Sequence, residues 1–473
     1  MSPAPTAGQG PLQAAPPSDP GGRAVPIGIA AVAGALALSA LAGLPLYGDG
    51  AYYFFRIAVD GLPVIPNHRL GAVLPQLPTL IAARVTEDVL SLRHTFAISY
   101  AALPFISLLA CWFAVRRSAP VLVLFPALFF VVSQTSFSAV SELLLCLYIA
   151  WPFVLLASLY PIRRAVWAYG LALAPLLSLL HPLSFAPLFL LCGIAALAAL
   201  RGPSRRTYWA LLAAALGASA LARLVWTWLG ANAYERSFRE PAEAAYYLFA
   251  ATQAQGLFLF LVLGLALLLA LAVLGQPRRL AGAIRRTLGL GFLLLPVLAA
   301  AVGFAVLAGE GIKPKAAALL PVCLVIMLLA AVAATPRPNR DGVPALGVGP
   351  GRAGGWGRPF AACALAMTLL ILAKSAAWWT ATRGLIDAVG SAEPACLTYG
   401  PEEPYSLQWP WMAIVDNWTA PLNALIFRGP WPIPLLLPKD GCPVLDETGL
   451  AHLNGWTAYP FEVLNARFGP LRP

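Results

Sequence analysis

The feature that most restricts this chain is the recurrence of apolar runs close to the ~20 residues a helix needs to cross a bilayer. They lie at roughly 25–46, 95–115, 119–133, 142–160, 165–180, 183–200, 207–229, 256–275, 288–308, 316–334 and 359–380, which makes about eleven transmembrane helices. Lipid offers the backbone no hydrogen bonds, so only helices or closed barrels span it. A barrel would alternate apolar and polar residues over ~10-residue segments, and these runs do not alternate. Charged residues make up 11% of the chain, against about 25% in soluble proteins. The expected fold class is an all-α polytopic membrane protein.

Charge then orients the helices. Arg116–Arg117, Arg163–Arg164, Arg201/Arg205/Arg206, Arg278/Arg279/Arg285/Arg286 and Arg337/Arg340/Arg352/Arg358 all fall in alternate loops, on the side of the N-terminal tail. By the positive-inside rule that side is cytoplasmic, giving an N-in, C-out chain. The net charge of +11 is thereby explained as a topology signal, and nucleic acid is not an expected partner. Most acids, among them Asp49, Asp60, Glu142, Glu235, Glu240, Glu243 and Glu310, fall at or beyond the opposite surface. Carboxylate chemistry is therefore expected outside.

Three parts follow. Residues 1–24 are Pro/Ala/Gly/Gln-rich, without a basic n-region or small-residue cleavage site, and read as a disordered cytoplasmic tail. Residues 25–380 form the transmembrane domain. Residues 381–473 form a small extracytoplasmic domain rich in Pro and Trp, whose Cys396 and Cys442 are expected to pair in an oxidising compartment.

The stretch Gly48–Asp49–Gly50 follows the first run. Asp49 opens a juxtamembrane helix of about residues 50–60, rich in aromatics (Tyr52, Tyr53, Phe54, Phe55) and ended by Gly61 and Pro63. It serves either as a helix cap or as a catalytic carboxylate. Leu70–Ala83, broken by Pro75 and Pro78, is expected to be re-entrant or surface-lying. Glu142 heads an apolar run behind a Ser/Thr/Gln-rich mouth, as an interfacial cap or as a second functional acid. His181 before Pro182 is either an interface residue or a ligand to a phosphate or sugar hydroxyl. His68, Arg69, Lys313 and Lys315 are candidate phosphate-binding cations, with lipid headgroups as the competing partners of the lysines; Arg223, within a span, needs water access or a partner such as Glu235 or Glu243. The C-terminal tryptophans stack on sugar or pack in a small core. No P-loop, HExxH or CxxC is present.

With these residues in place, the chain resembles the GT-C superfamily of membrane glycosyltransferases. Such enzymes carry an acid in the first outer loop, here Asp49, and a juxtamembrane helix in that loop. Further polar residues lie at outer span ends, here Glu142 and His181. The resemblance implies transfer of a sugar from a polyprenyl-phosphate donor to a glycan, lipid or protein acceptor, with inversion, in a bacterial inner (plasma) membrane. It casts Asp49 and Glu142 as catalytic, and Tyr52, Tyr53, His68, Arg69, His181, Arg223, Lys313 and Lys315 as substrate-binding. The resemblance also implies a possible divalent cation (Mg or Mn), with the first-loop acid, here Asp49, as base or as its ligand. The rival expectation is a lipid or polysaccharide transporter or flippase, which calls for charge deep in mid-span; Arg223 and Lys374 come nearest to that, both toward the outer side.

Overall fold

A computed structural model describes residues 20–160, 163–201, 206–230, 236, 253–273, 278–307, 324–328, 356–393, 395–399, 417–429, 431–438, 441–455 and 457–472. Most of the tail, the candidate binders Lys313 and Lys315, and Glu235, Glu240, Glu243, Trp409, Trp411 and Trp456 lie outside them. The helices are α1 (Pro20–Leu41), α2 (Asp49–Asp60), α3 (Leu77–Ala82), α4 (Val89–Val115), α5 (Leu124–Ser133), α6 (Glu142–Leu159), α7 (Arg164–Ser178), α8 (Phe185–Arg201), α9 (Arg206–Leu229), α10 (Gln253–Val273), α11 (Arg278–Leu307) and α12 (Gly357–Ser391). Three short helices follow: α13 (Ala420–Phe427), α14 (Gly441–Thr448) and α15 (Phe461–Phe468).

Among the described residues, 8 helices are long and apolar enough to cross a membrane. This is a multi-pass α-helical membrane protein. The run at 119–133 behaves differently from an ordinary span: a 3-10 turn, Pro120–Val123, leads into α5, which has only 10 residues. At 1.5 Å per residue α5 covers about 15 Å, half the hydrocarbon thickness. It survives because every one of its residues is buried in protein. Helix α7, of 15 residues, is also short, and most of 316–334 lies outside the described residues.

Helix α1 packs on α12 and α4, α4 on α6, α8 on α9, and α11 on α10 and α12. Small residues permit the closest of these crossings. A Cβ on Gly28 of α1 would come within 2.9 Å of the Ala364 Cβ on α12, the contact expected of an Ala/Gly-rich membrane helix. Of the 8 long helices α6 is the most enclosed, with 83% of its span buried. Its first residue, Glu142, is thus set among protein.

The proline-broken stretch 70–83 folds as a 3-10 helix, Leu70–Gln76, running into α3. Gln76 holds it: its amide donates to Val64 O and Ala72 O at 2.8 Å and its carbonyl accepts from Val64 N at 2.9 Å. Leu70, Leu74, Leu77 and Ile81 stay exposed at helical spacing, as on a lipid-facing surface.

Helix α12 has 35 residues and runs to Ser391, beyond the boundary expected near 380. At about 52 Å it exceeds the hydrocarbon thickness and leads into the C-terminal part. There β1 (Cys396–Tyr399) pairs in parallel with β2 (Leu435–Pro438), and β3 (Leu450–Asn454) pairs antiparallel with β4 (Thr457–Pro460). Cys396 and Cys442 form the expected disulfide. Closing a loop with a separation of 46 residues stabilises by about 4 kcal/mol in the chain-entropy description. Cys442→Ser is therefore expected to expose this part to proteolysis at temperatures where the wild-type chain resists. Equal digestion rates would count against that.

Candidate active site

The loop entering α2 depends on two glycines. Gly48 sits at φ 56° and ψ −124°, a conformation strained for residues with a side chain, and occupies the N-cap position. Asp49 is the first helical residue, one position past the cap. Gly50 lies against the preceding turn, where an added Cβ would stand 1.8 Å from Pro45 O and 3.1 Å from a Val140 methyl. Helix α2 ends, as expected, at Gly61 with φ 66°. Gly50→Ala must push α2 away from Pro45. A loss of about 3 kcal/mol is expected, read as a lower melting temperature of the detergent-solubilised protein, and an unchanged value would refute the close approach.

Tyr53, one turn into α2, is 2% exposed and donates its phenol to Glu142 Oε1 at 2.6 Å. Arg69 Nη1 donates to Glu142 Oε2 at 3.2 Å, with side-chain exposures of 13% and 7%. Each oxygen of Glu142 thus has its own donor. Burial, then the negative charges of Glu142 and Asp49, push the Tyr53 phenol well above its ordinary range. Tyr53 stays a neutral donor at any physiological pH, and Asp49 belongs to the same electrostatic cluster. Ser141 caps α6, accepting from Leu144 N at 3.3 Å, so Glu142 is free of capping duty.

His181 is buried and its Nδ1 accepts from Leu183 N at 3.0 Å. It begins the short turn between α7 and α8. Thr227 of α9 ties that turn to Arg223, bonding Pro182 O at 3.2 Å and Arg223 O at 2.9 Å. Arg223 is 5% exposed. Arg223, Arg69 and Glu142 all lie within electrostatic reach of Cys146, one turn below Glu142. The expected residues Asp49, Tyr53, Arg69, Glu142 and Arg223 therefore converge, with His181 alongside. Gly71 N, donating to Leu179 O at 3.0 Å, fastens the Arg69 segment to the end of α7.

Of the remaining candidates, His68 and Tyr52 are among the described residues. His68 is exposed, adopts φ 61°, and meets the Trp226 ring edge-on at 6.0 Å. Tyr52 packs at 6.0 Å against Trp418 of the C-terminal part, so this tryptophan has a ring partner within the protein; Trp431 is 77% exposed. The outer end of α2 is braced from the same part. Tyr459 OH lies 2.7 and 2.8 Å from the Asp60 oxygens, and Phe55 stacks on Phe468 at 5.1 Å.

A Mg or Mn ion needs several oxygen ligands. Among the described residues no three of His, Cys, Asp or Glu come together to hold one, and both Glu142 oxygens already accept from protein donors. Sequence reasoning missed the Tyr53–Glu142–Arg69 assembly as such, and singled out Lys374 only as a charge within a span. No protein-family model, curated protein or solved structure matches the chain.

Proposed function

We propose that this protein is a GT-C-type glycosyltransferase that moves a sugar from a polyprenyl-phosphate donor to an acceptor hydroxyl on the extracytoplasmic face of a bacterial inner membrane. The reading takes the chain as N-in and C-out with about eleven spans. One observation carries it: Asp49 heads α2 beside a buried carboxylate whose two oxygens are already held by Tyr53 and Arg69. Of the two acids, the resemblance assigns the proton to Asp49. Asp49 takes the hydroxyl proton as the acceptor oxygen attacks the anomeric carbon, and the bond to the donor phosphate breaks on the opposite face, inverting the centre. Glu142 orients Arg69 and Tyr53, and Arg69, Arg223, His68, Lys313 and Lys315 offset the charge of the departing phosphate.

The test is mass spectrometry of lipids retained by the purified protein, followed by transfer assays with the lipid found. A sugar-bearing polyprenyl phosphate that is consumed with acceptor supports the reading; absence of such a lipid together with no turnover removes it. Lipid or polysaccharide transport draws its one specific support from Lys374, a cation 3% exposed inside the long helix α12. Glycolipid movement across proteoliposomes without chemical change would favour that alternative.

A further inference from the structure

Lys374 is the most enclosed cation among the described residues, and it has no acid beside it. Its ammonium donates to Gln134 Oε1 at 3.2 Å and to Ser136 O at 2.8 Å. The ion pairs among the described residues are Arg56–Asp60 and Arg69–Glu142. Taking an ammonium into apolar surroundings with neutral acceptors alone is costly, so packing alone does not account for a lysine here.

What Lys374 holds is the connection 134–141 between α5 and α6. The other hydrogen bonds of that connection are local: Gln134 and Thr135 bond back to residues 130–133, Ser138 to Val140, and Ser141 to the start of α6. The two bonds from Lys374 reach across the fold, over separations of 240 and 238 residues.

The connection in turn touches both acids' supports. Phe137 packs against Tyr47 with ring centres 4.7 Å apart, and Tyr47 meets Trp378, one turn beyond Lys374, at 5.6 Å. Val140 is the side chain that a Cβ on Gly50 would meet. Residues 137–140 thus lie between the loop that presents Asp49 and the head of α6 that presents Glu142.

We infer that Lys374 is a positioning residue that sets Asp49 against the Glu142–Arg69 pair, acting through Ser136 and the 137–140 segment. It touches neither acid. Its part in turnover rests on the transferase reading above, while the mechanical coupling does not.

Two full-length variants in nanodiscs test this. Lys374→Met removes both donors, and Lys374→Gln is neutral but keeps N–H donors. For the methionine variant, kcat is expected to fall by about 100-fold, the cost of a misplacement near 1 Å, with KM for the donor unchanged and the melting temperature near wild type. The glutamine variant is expected to recover most of that loss. Hydrogen exchange is expected to quicken in peptides covering 47–55 as well as 134–142 in the methionine variant only. Wild-type kcat in Lys374→Met would overturn the inference, as would parallel loss of kcat and melting temperature in both variants. If wild-type protein transfers no sugar, the transferase reading fails and the exchange result decides alone: quickening confined to 134–142 sinks the coupling.

Discussion

Asp49→Asn is expected to reduce sugar transfer by about 10²–10⁴-fold, the range that a positioned general base contributes. The change is nearly isosteric, and the helix it begins is capped by Gly48 without a side-chain bond. Loss of activity should therefore come with an unaltered melting temperature and unaltered donor binding. The comparison with Glu142→Gln is informative. Glutamine keeps an acceptor for the Tyr53 phenol and loses only the charge facing Arg69, so its effect should fall on orientation and be smaller. Equal turnover in Asp49→Asn and wild type, with the donor bound, would leave the proposed mechanism without its base.

Arg69→Met is expected to be among the most damaging single changes to stability. It leaves the Glu142 carboxylate, 7% exposed, with Tyr53 as its remaining named donor. Removing one partner of a buried ion pair costs about 3–5 kcal/mol, because the other charge stays desolvated. The sign of the compensation follows from the same physics. In Arg69→Met/Glu142→Gln neither charge remains, and the double variant is expected to be more stable than Arg69→Met alone, with a coupling of about 1–3 kcal/mol. Thermal unfolding of the four proteins in one detergent measures it. Strictly additive losses would mean that the pair is not a coupled unit.

Both predictions depend on a contact that local sequence could not announce. Glu142 is separated from Tyr53 by 89 residues and from Arg69 by 73. Read along the chain, Arg69 was a phosphate-binding candidate and Glu142 a cap or an acid; folded, they neutralise one another. The same holds for Gly50, whose need for glycine arises from a carbonyl in the preceding turn. By contrast, the ends of α2 at Asp49 and Gly61 were legible, since an αL glycine that terminates a helix is a local device.

What the amino-acid order determined unaided was the material and the grammar: long apolar helices, a short helix after Gly48, and a cysteine pair in the last part. Each is local or compositional, because a backbone in lipid has no hydrogen-bonding partner except its own neighbours. Tertiary structure alone decided which runs are full spans and which, like α5, are short and swallowed by protein. It also decided which carboxylate is engaged, and that a lysine on the last long helix grips the connection leading to the first residue of α6. Pairings of this kind form between segments that meet only when the helices pack, and burial then makes each unsatisfied charge too costly to leave alone.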